Sequence, residues 1–138
     1  MKKLFYIPQA ESPVDIALLI LRLTAGIFML HHGYSKMENF TEMQYKFISF
    51  LGLGGSISLC LTIFAEFFCS IALIFGMFSR LVLIPLLINI FVAIIVGHQG
   101  DIFGKGEPAA LYFMMYLVLI ISGPGKYSVD AILAKKIR

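Results

Sequence analysis

Tryptophan is absent from this chain, cysteine occurs only twice, and charged residues make up 14% of the sequence. Soluble domains carry about 25% charged residues, so the shortage of charge excludes a water-soluble enzyme surface. Cys60 and Cys69 would lie on opposite faces of one helix and about 13 Å apart along its axis, too far for a bridge. With no C-x-x-C motif either, thiol–disulfide chemistry within the chain is excluded, and both cysteines read as packing residues. The alternating segments of roughly 10 residues that a transmembrane β-barrel needs are missing. So are internal repeats and low-complexity stretches. The net charge of +3, from 11 Lys and Arg against 8 Asp and Glu, gathers at chain ends and loops, so nucleic acid is not an expected partner.

Apolar side chains are abundant: 59% of 138 residues are hydrophobic and the mean hydropathy is +0.91. Four spans of about 20 residues would use some 80 positions and leave no room for a soluble catalytic domain. The expected fold is all-α, a single membrane domain over 1–138 forming an antiparallel bundle of four transmembrane helices. The spans fall at about 14–37, 55–78, 81–97 and 108–122, with a basic tail over 123–138. A signal peptide at the first stretch is disfavoured because the apolar run is too long, Arg22 interrupts it and no A-x-A site follows. Pro85 is expected near the first turn of the third span, where a missing N–H costs little. Pro108 opens the fourth, and Gly123-Pro124-Gly125 closes it. Between the first two spans, Phe40, Met43, Phe47, Phe50 and Leu51 share one helical face opposite Glu38, Glu42, Lys46 and Ser49, which predicts a short amphipathic helix along the outer surface.

An even number of spans puts both termini on one side. Lys2, Lys3, Arg80, Lys126, Lys135, Lys136 and Arg138 fall there, against Lys36, Lys46 and Lys105 opposite, so both termini are expected in the cytoplasm. Interfacial anchoring falls to Tyr6, Tyr34, Tyr45 and Tyr127.

Ionisable residues within spans are costly and mark functional or paired sites. At about 1.5 Å per residue, Arg22, Glu66, Asn89, Tyr112 and Tyr116 fall roughly 9 to 18 Å in from the cytoplasmic end of their spans. The expectation is a buried layer in which Arg22 faces Glu66, either fixing helix register or contacting a ligand or proton. Arg22, Gly26, Met29, Gly33 and Lys36 lie within about 40° of one helical line, and the two glycines on that stripe permit close approach by a helix or a flat ligand. A second cluster is expected at the outer mouth: His32, Lys36, His98, Asp101 and Glu107. Imidazoles there suit metal or haem, but without an H-x-x-x-H spacing the preferred reading is a hydrated rim with no metal and no haem.

These residues form a pattern that resembles the DoxX family of small bacterial membrane proteins: Arg22-x3-Gly26, His32-Gly33-x2-Lys36, Glu66 ahead of Gly76 and Ser79-Arg80, then His98, Glu107 and Gly123-Pro124-Gly125 with Ser128 and Asp130. Cys69 and Ser70 stand where such proteins are usually richer in glycine. The resemblance implies a four-helix bundle in the bacterial inner membrane and a link to quinone chemistry, through relatives of a thiosulfate:quinone oxidoreductase membrane subunit and of oxidative-stress complexes. Two classes of function follow. One is a redox-linked membrane subunit binding quinone beside Gly26 and Gly33, with its oxygens near Arg22 or a tyrosine. The other is a non-catalytic anchor or scaffold for a protein partner or a second copy. A transporter lacks the expected inverted repeats and broken helices.

Overall fold

A computed structural model describes residues 12–137. Lys2, Lys3, Tyr6 and Arg138, which enter the charge and anchor readings, lie outside the described residues. Every regular element among the described residues is helical: α1 (Ser12–Glu38), α2 (Phe40–Met43), α3 (Gly55–Phe75), α4 (Ser79–Gly97), α5 (Glu107–Ser122) and α6 (Val129–Lys136). Three of them, α1 from Pro13 onward, α3 and α4, are long and apolar enough to cross a membrane. The fourth apolar helix, α5, has 16 residues, a few short of the roughly 20 that span a bilayer without help.

The helices are apolar all round, as spans are, and differ mainly in which residues meet protein. Ala25, Met29, Leu73, Leu83, Leu86 and Tyr116 pack in the interior. Ile20, Phe28, Phe64, Ile88 and Phe91 point outward and remain exposed, a surface that only lipid satisfies.

Helix ends follow local chemistry. Gly76 adopts φ +69°, and the N–H groups of Gly76 and Met77 return to Leu73 and Ala72 carbonyls. This glycine-terminated motif stops α3 three residues before the expected boundary. The Asp130 carboxylate then accepts the N–H groups of Phe78 and Ser79, each at 2.8 Å, and starts α4 at Ser79. That early start moves Pro85 from the expected first turn into the helix interior, where its missing N–H leaves a carbonyl unpaired. At the other end Gly123, at φ +84°, ends α5.

Two expectations are corrected. The outer segment is not a continuous amphipathic helix: one helical turn at Phe40–Met43 is followed by a 3-10 turn at Phe50–Gly52. Leu51, Gly52 and Gly54 all have positive φ, so the chain doubles back, and Ser49 and Ser58 side chains tie the bend to the start of α3. The apolar periodicity was real but turn geometry overrode it. The tail, expected only as a basic extension, instead folds under the helices. Gly123, Pro124, Gly125, Ser128, Asp130 and Ala131 are all buried.

Within α3 and α4 lie two π-helical turns, Phe64–Cys69 and Ala93–Gly97. Such turns insert an extra residue into the α-helical ladder and are common at functional sites. The first surrounds Glu66.

Candidate functional site

Two polar centres sit along α1, one near its start and one near its end. At the base, Arg22 is 2% exposed and donates to three backbone carbonyls: Nε to Ile74 at 3.3 Å, one terminal nitrogen to Pro124 at 2.6 Å and the other to Tyr127 at 2.6 Å. The planar fork of arginine suits this three-way clasp. Asp130 is close enough to act on the guanidinium through charge while its own oxygens cap α4. The clasp is reinforced by Asp15, which accepts the Lys126 N–H at 2.9 Å, by the Asp130 N–H donating to Gly76, and by Ser128, which donates to Gly125 and accepts from Ala131. A side chain at Gly76 would place its Cβ 2.5 Å from the Ser128 Cβ and 3.0 Å from the Arg22 fork, so only glycine fits.

Further along α1, Lys36 Nζ lies 2.5 Å from Glu66 Oε2, and Asn89 Nδ2 donates to Glu66 Oε1 at 3.0 Å. Glu66 is 5% exposed, whereas the Lys36 side chain retains 22% exposure. This ion pair joins two of the apolar helices, α1 and α3, and it is built by close backbone approach. A Cβ on Gly33 would fall 2.7 Å from the Glu66 carbonyl carbon and the Phe67 nitrogen, and one on Gly26 2.6 Å from Ile74 Cγ1. The two glycines therefore seat α1 directly on α3, and the π turn aims Glu66 into the gap. Tyr112 and Tyr116 of α5 stack at 6.1 Å, and His32 meets Tyr112 edge-on at 6.0 Å. Tyr116 is fully buried, and its hydroxyl has no hydrogen-bond partner although both tyrosines feel the Glu66 charge.

The expected pairing of Arg22 with Glu66 is thus corrected. Helix depth placed both in one slab, but the arginine folds toward the base, where three carbonyls await it, and Lys36 reaches back into the slab instead. Asn89 does join Glu66, and Tyr112 and Tyr116 lie within range of its charge. Lys36, expected at the outer rim, belongs to this layer. Of the other rim residues, His32 reaches the layer through Tyr112, whereas His98 Nδ1 contacts the Ala93 carbonyl at 2.8 Å and Asp101 packs over the Gly104 turn. Among the described residues no group of three His, Cys, Asp or Glu side chains could hold a metal ion. A shallow hollow of about 310 Å³ in the outer loop, lined by Glu42, Met43, Lys46 and Phe47, shares no residue with the polar layer.

The reading of the sequence gave no geometric role to Asp15, Ser128 and Asp130. Ser128-x-Asp130 ahead of an apolar run is a helix-start signal, but only the tertiary structure shows that Asp130 caps α4 rather than its own helix. The signal for Lys36 was present: it closes the Gly26–Gly33 stripe, and a lysine stem spans about 6 Å.

A chain of apolar helices with lipid-facing side chains and a buried lysine–glutamate pair is a membrane protein of the small helical type. It belongs to the DoxX family, whose profile matches residues 17–99. It is similar to the inner membrane protein YqjF of Escherichia coli (strain K12), with 26% identity over 128 residues that cover 88% of this chain and 95% of the relative. No solved structure matches it.

Proposed function

We propose that the protein is a four-span inner-membrane subunit whose Lys36–Glu66–Asn89 layer binds the headgroup of a quinone, with α5 as the fourth, antiparallel span and both termini in the cytoplasm. The orientation rests on the seven-to-three distribution of Lys and Arg. The inner-membrane location is supported by the YqjF relative, and α5 packs against α1 and α4 along its length despite having only 16 residues. A reporter fused after Arg138 should be active only if it works in the cytoplasm, and periplasmic activity there would refute the orientation.

The observation that carries the ligand is the Tyr116 hydroxyl, fully buried and without a hydrogen-bond partner. A buried hydroxyl left unpaired costs about 1–3 kcal/mol, and a polar ligand atom would relieve it. The donor set suits a quinone. Lys36 has N–H groups beyond the one given to Glu66 and is partly open, Tyr112 and His32 offer aromatic edges, and the surrounding walls are apolar. When bound, the quinone supplies two-electron, two-proton chemistry. The chain's own part is to orient the headgroup oxygens at Lys36 and Tyr116 and to hold a proton-accepting carboxylate, Glu66, beside them. Arg22 takes no part, because its guanidinium is held at the base by bonds from all three of its nitrogens to the Ile74, Pro124 and Tyr127 carbonyls.

The test is extraction in mild detergent followed by mass spectrometry of co-purifying quinones and proteins. Quinone near one per chain in the parent, and at least tenfold less with Lys36→Met, is the expected outcome. A stoichiometric partner protein with no quinone would replace this reading with that of an anchor subunit.

A further inference from the structure

We infer that the Lys36–Glu66 site exchanges protons and water with one side of the membrane only, the side opposite Lys126, because the base of the bundle is sealed by a fixed positive charge. The inference rests on the reading above that this ion pair is the working site, but not on what binds there.

The seal is the Arg22 clasp. Its guanidinium sits between α1, the end of α3 and the segment after α5, with the Pro124 and Tyr127 carbonyls closing over it. Ser128 and the Asp130 carboxylate are buried beside it. Glycine at 76 removes any gap between the tail and the fork. An arginine held in a constriction excludes protons and cations by its charge, and this one cannot swing aside without breaking three hydrogen bonds to two separate stretches of chain. One turn toward the base from Glu66, Ser70 is completely buried, and Leu73 and Leu119 are buried as well, so on that side Glu66 meets one uncharged hydroxyl and buried leucines rather than a charged group.

Toward the opposite end the barriers are lower. Lys36 lies two residues from the end of α1 at Glu38 and keeps 22% of its side chain exposed. Tyr112 lies five residues into α5, and His32, which touches it, is exposed. The charged and titratable groups facing Glu66 are Lys36 from α1 and Tyr112 and Tyr116 from α5, with neutral Asn89 from α4. A proton reaching Glu66 neutralises the carboxylate and breaks its ion pair. Lys36 then swings toward water, and when the proton leaves by the same route the pair re-forms.

Accessibility labelling tests this directly. In a chain carrying Cys60→Ala and Cys69→Ala, Asn89→Cys places a thiol in the layer while keeping the Lys36–Glu66 pair, and Lys36→Cys provides a second position. Lys126→Cys, exposed at the base, reports that side. A membrane-impermeant cationic methanethiosulfonate is added to intact spheroplasts and to inverted vesicles. Expected is labelling of Asn89→Cys and Lys36→Cys from the side opposite to Lys126→Cys, at least tenfold faster than from the Lys126 side. Labelling of both from the Lys126 side, equally from both sides, or from neither overturns the inference. The readout is silent on quinone, so failure of the ligand assignment leaves it standing and the reverse also holds.

Discussion

Arg22 and Lys36 are both cations of α1, and the structure treats them in opposite ways. Arg22 is buried among three neutral carbonyls from two parts of the chain, whereas Lys36 is partly open and rests on a single carboxylate. Neutral acceptors cannot lose their attraction by taking up a proton, so the three hydrogen bonds of Arg22 do not depend on a partner's charge, although the nearby Asp130 carboxylate adds to its field. A carboxylate can lose its attraction in that way, so the Lys36–Glu66 contact is conditional. One helix thus carries a fastener and a switch, and the choice of arginine for the first and lysine for the second follows from the rigid fork of one and the flexible point charge of the other.

The sharpest way to break this contrast is to remove the fastener. Arg22→Met should lower stability by about 3–5 kcal/mol, because buried carbonyls lose their donors and Asp130 loses a neighbouring charge, and Arg22→Lys should recover less than half, since one ammonium cannot span three acceptors. Thermal unfolding in detergent measures both. If Arg22→Lys matched the parent, geometry would not be what matters at the base. Gly76→Ala comes next, at about 2 kcal/mol, from a left-handed backbone angle and a Cβ pressed against Ser128.

The layer should respond differently. Lys36→Met and Glu66→Gln singly should each cost roughly 1–3 kcal/mol, while the double variant recovers much of the loss because no charge is left unpaired. Combining Arg22→Met with Glu66→Gln should instead be additive to within about 0.5 kcal/mol. Non-additivity in that second pair would mean that the two centres share one network after all. Smallest of all, Cys60→Ala on the outward face of α3 should shift stability by no more than about 0.5 kcal/mol, marking the baseline against which both centres are read.

The contrast also explains what the sequence made legible. Helix positions followed from apolar runs and from punctuation by Pro108 and Gly123, because lipid leaves few other solutions. Glu66, Asn89 and the two tyrosines were found by depth alone, since any polar group in that slab must turn inward. Depth could not choose between Arg22 and Lys36 as the partner of Glu66, because both are long side chains on the same helical stripe and reach in opposite directions along it. Deciding needed knowledge of the tail, whose polar backbone offers Arg22 a better set of acceptors, and no periodicity reports a loop that folds back. The outer segment failed for a related reason: a pattern of apolar spacing is silent about a leucine held at φ +51°.

The clasp at Arg22 has a bearing on how the chain is made. Its acceptors at Pro124 and Tyr127 lie 102 and 105 residues further along the chain, so two of its three partners are made only after α3, α4 and α5. An arginine near the centre of an inserting helix costs about 2.5–3.5 kcal/mol, a cost that these two carbonyls can offset only once their segment is in place. The segment around Pro124 and Tyr127 is therefore what lets α1 keep an arginine at that depth, and a chain cut before Pro124 would leave two of the three guanidinium bonds unmade.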